Sequence, residues 1–199
     1  MSAVKAIKGI IAEMPEGAVF SAKHFRKNAS ADNIKQILSR LAREKIINRA
    51  ARGVYQKPKI IEGIVCDSSV REIIDVIAKT SGEILIPHGS EAVRQLNLST
   101  QVPMRFIFHT NGASRKLTVG KHTVELRHAS PSRLIAPNSP AGIAISALLY
   151  LGRANVTFEI IDHIKCQLSE ESFQHMLDET ENMPAWLASV LYHYQKEAR

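Results

Sequence analysis

The sequence is poor in features that tie a chain to an oxidising or membrane setting. It holds only two cysteines, Cys66 and Cys166. They lie far apart and match no metal or redox spacing, so no disulfide framework is expected and both thiols are read as reduced. No apolar run approaches the ~20 residues that cross a bilayer. Lys5 and Lys8 interrupt the only apolar stretch near the N-terminus, which argues against a signal peptide. Internal repeats and low-complexity tracts are also missing. The expectation is a cytoplasmic protein without a membrane partner, made of one domain or two small ones.

Catalytic signatures are scarce as well. No phosphate-binding loop or dinucleotide fingerprint occurs. Ser99-Thr100 lacks the Gly-x-Ser-x-Gly elbow of a serine nucleophile. Gly89-Ser90 has the small-residue turn of a nucleotidyltransferase, but such an enzyme then needs paired carboxylates for Mg²⁺. No aspartate stands between Glu91 and Lys121, so Gly89-Ser90 reads as a helix start. His122 and His128 flank Glu125 without a known ligand spacing, and His109, His163, His175 and His193 stand isolated. The chain is therefore read as a non-enzyme, with no catalytic residue, metal site or cofactor.

Positive charge, by contrast, is abundant and uneven. The formal net charge is +7. Through Ile60 there are 13 basic residues against four acidic ones, and after it 13 basic against 15 acidic. The first third thus carries roughly +9 and the remainder roughly −2, which points to a polyanion partner for the first part alone.

The stretch that organises this basic part is 30–56. Ile34, Ile37, Leu38 and Leu41 fall on one stripe of a helix. Asp32, Lys35, Gln36, Ser39, Arg40 and Arg43 lie on the other face. Ser30 is placed to cap the first turn. Beyond Glu44, Ile46 and Ile47 open an extended run, Arg49 to Arg52 make a basic tip, Gly53 turns, and Val54-Tyr55 resumes a strand. Upstream, 2–14 reads as a helix with Val4, Ile7, Ile10 and Ile11 on one face, ended by Pro15-Glu16-Gly17. Residues 18–20 make a short strand. Ser21 caps a second helix, 22–27, with Phe25 inward and Lys23, Arg26 and Lys27 outward.

Helix, strand, helix, turn, helix and hairpin is the plan of a winged helix-turn-helix. In such a module Lys35, Gln36 and Ser39 reach base edges, supported by Arg40 and Arg43. Lys23, Arg26, Lys27, Arg49 and Arg52 hold phosphates. Lys57-Pro58-Lys59 reads as an exposed joint, giving domains over 1–59 and 60–199.

The second part begins with an apolar run, Ile60, Ile61, Ile64 and Val65, expected to cross as a strand. A helix over 68–80 closes at Gly82, and a strand at 83–86 stops at Pro87. A short helix over 88–95 follows, then three strands at 105–110, 115–119 and 123–128 arranged as an antiparallel meander. Helices at 143–151, 157–167, 170–180 and 184–194 complete the chain. The last carries Trp186, Leu187, Val190, Leu191 and Tyr194, either a core seam or a partner-binding face. The fold class is α+β: an N-terminal winged helix, then a mixed domain with a small antiparallel sheet and flanking helices.

PHGSEAVRQLNLSTQVP, TNGASRKL, GKHTVELRHA and the RGVY at Arg52 to Tyr55 resemble the antitoxins of the AbiEi type. These are the antitoxin halves of type IV toxin–antitoxin pairs in bacterial abortive infection. The resemblance runs from about Ile7 to about Ser130, with LSTQVP its most specific piece. It implies a repressor that binds duplex DNA upstream of its own operon and neutralises a separate nucleotidyltransferase-like toxin. Gln101, Arg115 and Lys116 are the candidate antitoxin surface; the plainer reading of Arg115 and Lys116 is a solvated strand end. Two other classes stay open: a stand-alone transcription regulator whose second domain senses a ligand or binds a partner, and an interaction protein whose winged helix binds protein.

Overall fold

The computed structural model describes residues 2–101 and 105–197. Val102 and Pro103 of the LSTQVP stretch lie outside the described residues. The chain divides into two compact units, one of residues 1–83 with 117–123, the other of 84–116 with 124–199. The architecture is mixed α and β with small sheets. Among the described residues no helix is long and apolar enough to cross a membrane.

In the first unit, α1 (Ala3–Glu13) buries Ile7 and Ile11. The chain leaves it through Pro15 and a left-handed Gly17, φ +80°. Next come β1 (Val19–Ser21), a single 3-10 turn (Ala22–Phe25) and α2 (Ala31–Arg43). Then β2 (Asn48–Ala51) and β3 (Val54–Gln56) form a hairpin, and the sheet order is β1-β3-β2. The stripe Ile34, Ile37, Leu38 and Leu41 is buried as its spacing requires. Phe25 and Leu38 are fully enclosed, and burying each such side chain stabilises by roughly 1.5–3 kcal/mol. Phe20 meets Phe25 edge-on at 5.6 Å and stacks over Tyr55 at 6.2 Å.

Several local expectations are corrected here. Ser30 and Ser21 occupy N-cap positions, but neither side chain makes a capping bond. The second helix shrinks to the 3-10 turn, so Arg26 and Lys27 follow it rather than belong to it. The joint expected at Lys57–Lys59 is inside the first unit. Lys57 Nζ donates to the carbonyls of Ala12 and Met14 at 2.7 and 2.6 Å, satisfying the end of α1. The apolar run after it does not cross over. It folds back as β4 (Lys59–Ile61) and β5 (Ile64–Cys66), because Glu62 (φ 50°) and Gly63 (φ 78°) both take the left-handed conformation of a tight hairpin turn. Helix α3 (Val70–Ser81) packs on β1 and extends the unit. Its start is a complete capping box between Ser69 and Glu72, and Gly82 ends it at φ 74°.

The second unit carries most of a four-stranded sheet of β6 (Leu85–Pro87), β7 (Phe106–Thr110), β8 (Arg115–Val119) and β9 (His122–His128), in the order β6-β7-β9-β8. The expected antiparallel meander is corrected: β9 rather than β8 lies beside β7, and the two run parallel. Val124 and Leu126 of β9 are fully buried, which favours a central position. In β8, exposed Lys116 and Thr118 alternate with less exposed neighbours, which suits an edge.

Beside the sheet, α4 (Gly89–Gln95) crosses α5 (Pro140–Leu151). Helix α5 is apolar on nearly every side and buried from Ala141 to Leu148, apart from the half-buried Ile143. Helices α6 (Phe158–Gln167), α7 (Glu170–Asp178) and α8 (Ala185–Glu197) close the core. Leu187, Leu191 and Tyr194 of α8 are buried and Trp186 packs half-buried against the same core. The last helix therefore serves the core seam.

Candidate nucleic-acid interface

One continuous groove of ≈ 530 Å³ runs along the solvent side of α2, lined by Val4, Asn33, Lys35, Gln36, Ile37, Ser39, Arg40 and Arg43. The apolar stripe of α2 turns inward, so the residues between its members must turn out. That leaves Lys35, Gln36, Ser39, Arg40 and Arg43 exposed together on one concave surface. Lys35 Nζ reaches Asp32 at 3.1 Å and Arg40 Nε reaches Glu44 at 3.5 Å. Glu44 also receives Lys8 at 3.6 Å. These are exposed pairs, each worth at most about 1 kcal/mol, so a polyanion exchanges for them easily. Arg43 and Gln36 have no side-chain partner among the described residues and are fully available.

The other basic residues distribute differently. Arg49 and Arg52 are exposed on the β2–β3 hairpin, whose tip is turned by Gly53 at φ +76°. The carbonyl of Gly53 accepts the Ala22 N–H at 2.9 Å, which fixes the hairpin tip to the start of the 3-10 turn. Arg26 and Lys27 are exposed just beyond that turn. Lys23 is set apart: its Nζ donates to the Thr80 carbonyl at the end of α3, and it lines a different groove with Val76 and Lys79. A cation there complements the helix C-terminus.

Asn33 belongs to the groove and was not singled out by sequence. The spacing 33, 36, 40 places it on the outward face, a signal that was legible but overshadowed by the charges.

In the second unit, Gln101 is exposed at the end of the loop after α4, its N–H bonded to Ser99 Oγ at 3.1 Å. Arg115 and Lys116 are adjacent on β8, so the pleat sends them to opposite faces. Arg115 is half-buried and donates to the Ala113 carbonyl at 3.1 Å; Lys116 is exposed. They do not form one surface patch. Nearby, the Glu125 carboxyl is held below its ordinary range, first by the Arg127 hydrogen bond and then by the charges of Arg127, Lys116 and Arg105.

His88 and His109 are brought together by the β6–β7 pairing, in which Ile86 faces His109 and Pro87 faces Phe108. Their ring centroids are 5.1 Å apart, and Tyr150 stands 5.5 Å from His88. Sequence spacing gave no hint of this cluster. Among the described residues no group of three or more His, Cys, Asp or Glu gathers as a metal site.

No curated protein matches the sequence. One family model does, across residues 6–176 and hence most of both units, and the chain belongs to that family, a family of unknown function designated DUF6088.

Proposed function

We propose that the first unit is a winged helix-turn-helix that binds duplex DNA, with α2 in the major groove and the β2–β3 hairpin as the wing. The observation that carries this reading is the groove along α2, where Lys35, Gln36, Ser39, Arg40 and Arg43 stand together over an apolar base. Its support includes the element order, the β1-β3-β2 sheet and the basic excess of the first third. Gln36 has the donor and acceptor for a bidentate contact to adenine. Arg26, Lys27, Arg49 and Arg52 lie exposed on flanking segments and hold the phosphate backbone. Lys23, engaged with Thr80, contributes less.

The resemblance of 87–103, 110–117 and 120–129 to AbiEi-type antitoxins supports the further reading of a cytoplasmic, non-catalytic repressor and antitoxin. It acts on its own operon and neutralises a nucleotidyltransferase-like partner through the second unit, with exposed Gln101 and Lys116 as candidate contacts. The test asks first whether a nucleotidyltransferase-like gene adjoins the chain's own, and then pairs, in cells, a reporter under the chain's own upstream region with that gene under induction. The wild type represses the reporter and restores growth. Arg43→Ala with Gln36→Ala relieves repression and leaves growth restored. An unrepressed reporter with wild-type protein argues against the DNA reading, and unrelieved toxicity argues against the antitoxin reading.

A further inference from the structure

The second unit contains a cleft that neither DNA binding nor toxin neutralisation uses. It is lined by His88, Gly89, His109, Arg133, Ser146, Leu149 and Tyr150, and it is tight beneath its open mouth, with ≈ 20 Å³ of room, about that of one water. We propose that the mouth of this cleft binds a phosphate monoester, with Arg133 and Tyr150 at the rim and the two histidines beneath.

The site is built rather than incidental. Helices α4 and α5 approach so closely at Gly89 that a Cβ there would lie 2.1 Å from Tyr150 Cβ and 2.8 Å from the Ser146 carbonyl. Only glycine permits that approach, and it is the approach that seats Tyr150 against His88. Ser146 Oγ donates to the Pro87 carbonyl at 3.0 Å and fixes α5 to the strand end just before His88. The floor is therefore held from two elements.

Three groups at the cleft, His88 Nε2, the His109 ring and the Arg133 guanidinium, make no hydrogen bond among the described residues. The Ser90 N–H donates to His88 Nδ1 at 3.3 Å. Nδ1 also lies 2.9 Å from Ser90 Oγ, so Ser90 engages that side of the ring and Nε2 is the ring nitrogen left free. His109 makes no hydrogen bond through its ring nitrogens among the described residues. Arg133 is exposed and meets no carboxylate among them. Of the charged groups around the cleft, Arg127 on β9 is already paired with Glu125 at 3.0 Å, while Arg133 on the 3-10 turn Pro131–Arg133 is not.

The electrostatics agree with this geometry. Burial, then the charges of Arg127 and Arg133, hold the His88 imidazole below its ordinary range. Burial, then His88, Arg133 and Arg127, push His109 down to about 4. Every charged group acting on the two rings is a cation, and Tyr150 is the one further titratable side chain lining the cleft. Such a cluster lacks an anion. A phosphate, a monoanion through the acid range in which these rings titrate, offsets the cations, favours the imidazolium form of both rings and so draws protons with it. The Tyr150 side, 52% exposed, offers a ring on which a base stacks if the phosphate belongs to a nucleotide.

This inference does not rest on the DNA reading, since all its residues lie in the second unit. The test uses the full chain and follows the histidine ring resonances by NMR from about pH 8 to about pH 4. One arm adds inorganic phosphate, one a nucleoside 5′-monophosphate, and one the nucleoside alone. Expected is an upward move of the His109 midpoint from about 4 towards the ordinary 6.5 with either phosphate. Tighter binding of the nucleotide identifies a nucleotide site; equal binding identifies a site for free phosphate. Arg133→Gln, on an exposed turn, weakens phosphate binding about tenfold or more while circular dichroism stays unchanged. The proposal is overturned if inorganic phosphate leaves both histidines unmoved, if the nucleoside alone moves them as far, or if Arg133→Gln binds phosphate as the wild type does.

Discussion

The side-chain oxygen of Gln56 accepts the Ser68 N–H at 3.1 Å, while its amide nitrogen donates to the Cys66 carbonyl at 3.0 Å. Gln56 is 3% exposed, so one buried side chain closes the base of the β4–β5 hairpin and anchors the approach to α3. Replacing Gln56 by Ala strands both backbone groups. The expected loss is about 2–6 kcal/mol, at 1–3 kcal/mol for each unsatisfied group, read as a lower denaturation midpoint in urea. An unchanged midpoint would mean that water replaces the clamp at no cost.

Gly89→Ala is expected to destabilise the second unit, because the added methyl group meets Tyr150 and the Ser146 backbone. Forcing α4 and α5 apart costs about 1–3 kcal/mol. Gly53→Ala is a useful contrast: nothing lies near its Cβ position, so only the φ of +76° opposes it. Thermal melts of the two variants separate a steric cost from a conformational one, and equal melting temperatures would contradict the close crossing.

Tyr194, the last buried residue of α8, donates to Asp162 at 2.5 Å. Burial first, and then that hydrogen bond, pushes its phenol up to about 12 from 10.0. The folded state therefore keeps this proton where the unfolded state has lost it. The stability it lends is complete below about pH 10 and disappears as pH rises towards 12. Tyr194→Phe should lower stability at neutral pH by about 1–2 kcal/mol and flatten the alkaline limb. A limb of undiminished slope in the variant would assign the alkaline loss to other groups.

On the proposed DNA reading, Gln36 in the α2 groove and Arg52 on the β2–β3 hairpin should behave differently. Gln36→Ala removes a base contact, costs about 1–3 kcal/mol on the preferred site and relaxes preference there. Arg52→Ala removes a phosphate contact and weakens all duplexes alike. Competition between the natural upstream sequence and scrambled duplex distinguishes them. Preference retained in Gln36→Ala would take that residue out of the groove.

The elements that the sequence made legible are those with one dominant period. The stripe Ile34, Ile37, Leu38 and Leu41 and the turns at Gly53 and Gly82 needed no tertiary information. The outward residues of α2 followed from the same stripe. What could not be read was decided by long-range pairing. The parallel β7–β9 contact depends on which strand wins the centre of the sheet, and neighbouring strands in sequence gave the wrong neighbour. The reach of the first unit to Glu83 depends on Gln56, Lys57 and Lys23, polar side chains whose backbone partners are distant in sequence. The His88–His109 pair is of the same kind, since no local spacing announces two rings joined only by strand register.

Duplex DNA binding by the α2 face, as proposed, is tested by the salt dependence of binding by the full chain. Affinity for the chain's own upstream duplex should fall linearly on a log–log scale, with a slope of about 0.9 for each phosphate neutralised. Arg43→Ala, which has no competing ion pair, should lower both the affinity and that slope by about one contact. Absent binding, or binding whose affinity is indifferent to salt and to Arg43, would contradict the account.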